Sequence, residues 1–346
     1  MSRYDEVTAA DRHAPAAQPR DVMEPAAIEI GLNAAIITFS KDQPQILTVR
    51  QPADDRKLEA LPFGPFTPVV HRTLETGLRS WVREQTGLGL GYTEQLYTFG
   101  DRGRHAQVGD SGPHAVSIGY LALNRFDENA CLKGGHWQGC YAFFPWEDWR
   151  NGKPEILARD IEPRLQQWID RAPDTSTGHS PFSLADRVRM CFGTDGTRWD
   201  EEKVLDRYEL LFEAGLIEEA ARAGSDAACA WTDLPQIGRP MHLDHRRILA
   251  TAMGRLRAKI KYRPVVFELM DNDFTLFELQ KTVEAILGSH LHKQNFRRLV
   301  ESGGLVEPTG DVRTHTGGRP AKLFRFRQEV MVERPAPGVR VHATLH

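Results

Sequence analysis

The chain has 346 residues, 40% hydrophobic and 26% charged, with a net charge of −3. This is the balance of an ordinary soluble globular protein long enough for two or three domains. No apolar run approaches the roughly 18 residues of a membrane span, and the first residues lack the apolar core of a signal peptide, so the expected address is the cytoplasm.

Residues 1–25, rich in Ala, Pro and charge, read as a disordered lead-in. A first domain is expected over residues 26–150. Its opening runs, AAIEIGLNAAIITFS (Ala26 to Ser40) and QILTVRQ (Gln45 to Gln51), read as a strand pair around the polar turn KDQP. Val70, Leu74, Leu78, Trp81 and Val82 then recur at three- and four-residue steps, which predicts an amphipathic helix stopped by Gly87 and Gly89. Further strands are expected at EQLYTFGD, AVSIGYLALN and GCYAFFPW. Strands on either side of one marked helix indicate an α+β or sandwich-like domain.

Residues 151–238 read as a helical linker. PRLQQWIDRA and DRVRMCF suit short helices, and WDEEKVLDRYELLFEAGLIEEAARAG suits one long amphipathic helix with acids at its start and Arg-Ala-Gly at its end. Cys131, Cys140, Cys191 and Cys229 lack a C-x-x-C spacing and read as reduced thiols; His242 and His245 read as surface or helix-start groups.

A third region is expected over residues 239–330, followed by a tail at 331–346. Between Arg239 and Gln328 there are 17 Lys and Arg against 9 Asp and Glu, about +8, on a remainder of about −11 (27 against 38). A basic segment on an acidic body suggests a polyanion-binding module. A basic helix ends at Pro264; Thr275 and Glu278 then form a capping box for a helix with Leu276, Leu279, Val283 and Ile286 inward. After Gly288 a second helix buries Leu291, Phe296, Leu299 and Val300, and two strands around a Gly-, Thr- and Arg-rich loop follow. That order is a winged helix-turn-helix. The second helix turns Lys293, Gln294, Asn295, Arg297 and Arg298 outward, side chains suited to base edges and phosphates. Thr275, Arg313, Thr316, Arg319 and Lys322 complete the expected DNA-binding set, the last four on or beside the wing.

One motif points to a second activity. The stretch LRSWVREQTGLGL (Leu78 to Leu90) has the cadence of the Nudix signature, in which helix glutamates hold Mg²⁺ for attack on a pyrophosphate. Aligned on Gly87, Ser80 stands at the motif's Arg, Trp81 at the Glu beside it, Arg72 at the early Glu, and Glu84 and Gln85 at the final pair. Only one of four acidic positions is acidic, so neither a metal site nor catalytic residues are expected. The cleft retains nucleotide-binding candidates: Arg50, Phe63, Arg79, Glu84 and His114.

From about Ala26 to Arg327 the chain resembles the Nudix-related transcriptional regulators of NAD metabolism, the NrtR family with its NadQ-type relatives. KVLDRYELLFEAGLIEEA, FTLFELQKTVEAIL, NFRRLVESGGLVE and GGRPAKLFRF carry the resemblance. The 149–199 insertion favours the NadQ type. The resemblance implies an N-terminal Nudix-like α/β/α sandwich plus a C-terminal winged helix-turn-helix. It also implies a homodimeric repressor of NAD biosynthesis or salvage genes on a palindromic double-stranded operator, without a required cofactor. The implied effector is ADP-ribose, NAD or ATP; the expected mechanism is that its binding changes the packing of the Val204 to Ala221 helix between the domains and so the separation of two recognition helices. The alternative is an active Nudix hydrolase with an accessory winged helix; a winged helix used for protein contacts is a third reading.

Overall fold

The computed structural model describes residues 28–50, 57–101, 114–172, 181–314, 320–333 and 338–339, apart from the side chain of His114. The segment expected to be disordered, 1–25, and most of the tail lie outside them.

β1 (Ile28–Ser40) and β2 (Gln43–Arg50) form a hairpin across Lys41 and Asp42, whose φ values of 51° and 56° make the tight turn that a right-twisted ribbon requires. Further along, β1 and β2 splay apart. The chain between them fills the split as a wedge: β3 (Glu59–Ala60) pairs with β2, and β4 (Phe63–Pro65) pairs with β1 at Gly31–Asn33. On its other edge β1 runs parallel to β6 (His114–Leu123), which pairs with the edge strand β5 (Tyr92–Phe99). β7 (Gly135–Gly139) pairs with β2. The sheet order is β3-β2-β1-β6-β5. β1 is buried without alternation from Leu32 to Thr38, as expected of a strand covered on both faces.

One face is covered by α1 (Leu74–Thr86), through Leu78 and Val82 against Leu32, Ile36, Leu47 and Ile118. Thr73 and Thr76 close a capping box at its start, an arrangement worth about 1 kcal/mol. Gly87 ends it at φ 75°. The helix therefore begins later than the apolar repeat suggests: Val70 precedes it and is 74% exposed. GCYAFFPW is not a strand. β7 ends at Gly139, and Cys140, Tyr141, Phe143, Phe144 and Trp146 are buried in 3-10 turns.

The middle region holds α2 (Glu162–Arg171), α3 (Leu184–Phe192), α4 (Val204–Glu213), α5 (Glu218–Arg222) and α6 (Asp226–Cys229). The single long helix expected after Trp199 is broken at Gly215. Its φ is 71°, and a Cβ there would stand 2.3 Å from Ala228 N, so the chain turns where only glycine fits.

α7 (His245–Tyr262) covers the second face of the sheet, against β1, β5 and β6, and also packs on α4. This completes the α/β/α sandwich. Pro264 follows its last turn, and a 3-10 turn at Val265–Leu269 leads into the winged helix: β8 (Phe274–Thr275), α8 (Leu276–Leu287), α9 (Lys293–Ser302), β9 (Val306–Arg313) and β10 (Ala321–Phe326). Its sheet has the order β8-β10-β9. α10 (Val330–Glu333) follows. Among the described residues no helix is long and apolar enough to cross a membrane.

Candidate nucleic-acid interface and sensor cleft

α9 is anchored by Phe296 and Val300, 1% and 0% exposed, with Leu299 partly buried against the same core, so its polar side chains face outward. Lys293, Gln294, Asn295, Arg297 and Arg298 are all exposed. No carboxylate pairs with the three cations among the described residues. The turn before α9 is held by groups that sequence reasoning passed over. Glu284 accepts from Leu291 N at 2.9 Å and meets His290 at 3.1 Å, while Gln280 Nε2 donates to Leu291 O at 3.0 Å. Gln280 and Glu284, one helical turn apart on α8, fix the angle at which α9 leaves.

The other expected DNA-binding residues fare differently. Thr275 is buried, and its hydroxyl accepts from Glu278 N at 3.2 Å, so its side chain serves the cap of α8. Arg313 is ion-paired with Glu278 and donates to Asp273 O at 3.3 Å, which ties the wing to the start of α8. Lys322 is exposed on β10. Thr316 and Arg319 lie outside the described residues.

The basic excess of residues 239–328 is not all surface charge. On α7, Arg246 pairs with Glu219 at 2.9 Å, Arg257 with Glu147 at 2.6 Å and Lys261 with Glu201 at 2.8 Å. Arg247 pairs with Asp101 and Glu209, and Lys259 with Glu94. These cations bind acids of the N-terminal domain and the middle region, and so are not free for a polyanion.

In the sensor, the wedge gathers two of the nucleotide-binding candidates. Arg50 donates to Glu59 Oε1 at 2.9 Å, and His136 Nε2 lies 2.7 Å from Glu59 Oε2. Burial pushes the Glu59 carboxyl up, but hydrogen bonds from Thr48, His136 and Arg50 outweigh it and hold the carboxyl below its ordinary range. Phe63 is half-buried, with the rings of His242 and His245 at 5.8 and 4.9 Å. Glu59, His136, His242 and His245 lie beside these two candidates; His245 does start a helix, as expected, but at 2% exposed it is not a surface group, because it packs against Phe63 and bonds Leu61 N.

The remaining candidates are not at the wedge. Arg79 donates to Leu90 O at 2.5 Å, Gly91 O at 3.1 Å and Thr93 Oγ1 at 3.0 Å, and bonds Glu75. It ties α1 to the start of β5. Glu84 is exposed on α1. His114 begins β6, and its side chain lies outside what is described.

The two motif positions that face the wedge are neutral. Gln85 Nε2 donates to Phe63 O at 2.6 Å and Gln85 Oε1 accepts from Phe63 N at 3.1 Å. Trp81 Nε1 donates to Pro65 O at 2.9 Å, and its ring lies over Gly64, where a Cβ would stand 2.4 Å away. Amide and indole thus seal helix to wedge.

Wedge and winged helix are joined by α7. His245 Nδ1, at its first residue, accepts from Leu61 N at 3.0 Å, and His242 N donates to Glu59 O at 2.8 Å. Further along, Arg257 and Arg207 clamp Glu147, all three fully buried, with Nη1 and Nε each 2.6 Å from a carboxylate oxygen. Arg257 Nε also donates to Ile286 O at 2.8 Å, Tyr141 OH to Ala285 O at 2.5 Å and Trp149 N to Gly288 O at 2.7 Å. The carboxyl end of α8, where carbonyls lack partners in their own helix, is therefore stitched to a buried charge cluster. Burial opposes ionisation of Glu147, yet the two guanidinium groups hold its carboxyl below the ordinary value.

Residues 266–326 match the family model described as the NrtR DNA-binding winged helix domain. The ADPR responsive transcriptional repressor NtrR of Acinetobacter baylyi is 41% identical over 97 residues, 28% of this chain and 38% of that protein, so the chain spans well under half of the curated relative's length. The crystal structure of Shewanella oneidensis NrtR complexed with a 27mer DNA is similar with a TM-score of 0.52 at 20% identity, over 88% of this chain and 95% of that one. A second crystal structure of that protein gives 0.50 at 21%, over 87% and 95%. At these identities the likeness speaks to fold, and it spans both domains. Residues 266–326 thus match the NrtR type of DNA-binding winged helix, and the chain shares the fold of NrtR across both of its domains.

Proposed function

We propose that this protein is a DNA-binding transcriptional repressor of genes for NAD synthesis or salvage, released or recruited by an adenine nucleotide bound at the wedge of its Nudix-like domain. ADP-ribose is the first candidate, because the relative in A. baylyi is named for its response to it; NAD and ATP are the others. The observation that carries the reading is the outward row Lys293, Gln294, Asn295, Arg297 and Arg298 on a helix anchored by Phe296 and Val300. Cations and amides in one exposed row, free of internal carboxylates, match what base edges and phosphates accept.

A single recognition helix reads a few base pairs, so we infer a homodimer in the cytoplasm on a palindromic operator with half-sites about 34 Å apart, one turn of duplex. Hydrolysis is not part of this function: Trp81 and Gln85 occupy the metal-binding positions of the motif with neutral groups bonded to the wedge. The effector acts through unequal affinity for two arrangements of the domains. Its path runs from the wedge through His245 into α7 and from Arg257 into α8.

The test is fluorescence anisotropy of the full chain on a palindromic operator duplex and on a random duplex, across a salt series, with and without ADP-ribose. Supporting results are a preference of at least 10³ for one palindrome, a steep loss with salt, and a shift of affinity on adding nucleotide. Equal affinity for both duplexes would refute the reading.

A further inference from the structure

A cavity of about 870 Å³ lies between the β5 edge of the sensor sheet and the back of the wing, away from both the wedge and α9. That volume falls in the range of small-molecule sites. Its walls come from different parts of the fold: Tyr92 from β5, Arg125 from the turn after β6, Lys259 and Arg263 from the end of α7, and Arg325 and Phe326 from β10.

Four cations against two acids, Glu268 and Asp271, line this space. Lys259 is held by Glu94 and Arg325 by Glu307. Arg125 and Arg263 are exposed and have no carboxylate partner among the described residues. Burial first, and the like charge of Arg263 second, push the Lys259 ammonium below its ordinary range. The floor is apolar: Phe267 and Phe274 are 8% and 1% exposed, and Phe267 stacks on Phe326 at 4.4 Å. Cations at a rim and rings at a floor select an amphipathic anion over a bare one. No residue of α9 lines the cavity.

We propose that this cavity binds an organic phosphate carrying a flat aromatic ring, with the phosphate at Arg125 and Arg263 and the ring on the Phe267 and Phe326 side. Because its walls belong to the sensor, to α7 and to the wing, the bound molecule braces the winged helix against the sensor. The binding step does not rest on the sensor or DNA readings above.

Isothermal titration calorimetry of the full chain with AMP tests it, with inorganic phosphate and ADP-ribose titrated in parallel. AMP is expected to bind, and phosphate at least tenfold more weakly. The double substitution Arg125→Ala and Arg263→Ala, at exposed positions that leave the thermal melt in place, is expected to cost at least tenfold in AMP affinity and to spare ADP-ribose. Arg50→Ala at the wedge is expected to spare AMP. Absence of AMP binding at millimolar concentration, an AMP affinity unmoved by the double substitution or lost in Arg50→Ala, or phosphate binding as tightly as AMP overturns the proposal. If ADP-ribose fails to bind while AMP depends on Arg125 and Arg263, the cavity stands and the wedge loses its effector.

Discussion

Gln85 and Phe63 clasp one another, the amide giving its N–H to the Phe63 carbonyl at 2.6 Å and taking the Phe63 N–H at 3.1 Å. A carboxylate at position 85 keeps only the second bond and sets oxygen against oxygen at the first. Gln85→Glu is therefore expected to cost about 1–3 kcal/mol, as a polar pair left unmade does, and to lower the urea midpoint. It is also expected to yield no Mg²⁺-dependent cleavage of ADP-ribose, since Trp81 still covers Gly64. Release of AMP by this variant would mean that the helix keeps a working metal geometry.

Arg297→Ala or Arg298→Ala is expected to cost about 1–3 kcal/mol of operator affinity and to relax specificity at one position if that guanidinium reads a base. Lys322→Ala should instead weaken binding to all sequences and reduce the salt slope by about 1, as for a phosphate contact. Arg313→Ala behaves otherwise: its partner is Glu278, so the loss should register in the unfolding midpoint more than in the slope. Unchanged operator binding after losing both Arg297 and Arg298 would remove α9 from the interface.

The elements legible in the sequence are those whose signals are local. Thr275 with Glu278 gave the start of α8, Gly87 and Gly288 gave the ends of α1 and α8, and the Phe296 and Val300 spacing gave the exposed face of α9. What escaped depends on distant partners. Arg257 and Arg246 look like solvated charge within α7, and only Glu147 and Glu219, far away in the chain, make them core residues. The same holds for the apolar run after Gly139, which reads as a strand because periodicity cannot tell a buried strand from buried turns. The break at Gly215 is set by the backbone of Ala228, a neighbour no local pattern reveals.

Glu147→Ala leaves two buried guanidinium groups without their counter-charge, and a loss of about 3–5 kcal/mol in chemical unfolding is expected. The acid response carries the same information. With its folded-state carboxyl held below the ordinary 4.5, Glu147 contributes fully above that pH and its contribution is lost as pH falls through the lower, folded value. Glu147→Gln should flatten the acid limb of the stability profile; an unaltered limb would assign acid sensitivity to other carboxylates.

Gly288 has φ 73°, and a Cβ there would stand 2.2 Å from Glu147 O. Gly288→Ala is expected to cost about 1–2 kcal/mol from the left-handed backbone alone. The clash adds to this and pushes α8 off the charge cluster. Hydrogen exchange should quicken across residues 285–289 while α1 stays protected; uniform protection would contradict the stitching described here.

His245→Ala leaves the buried Leu61 N–H without its acceptor, a loss of about 1–3 kcal/mol. If α7 carries the signal, the variant keeps its operator affinity and loses most of the change that ADP-ribose produces. A full ligand response in this variant would place the route elsewhere.

α8 is pinned to the charge cluster at its carboxyl end, and the wing rides on its amino end through Arg313 and Glu278, so the two form a lever. With its carboxyl end pinned at Gly288, its 12 residues extend roughly 18 Å from that fulcrum at about 1.5 Å each. A ten-degree tilt at the pin, to order of magnitude, would carry the amino end, and the wing with it, about 3 Å along its arc. In the homodimer proposed above, small strain at a deeply seated carboxylate would thus be geared up into misalignment of the two recognition helices.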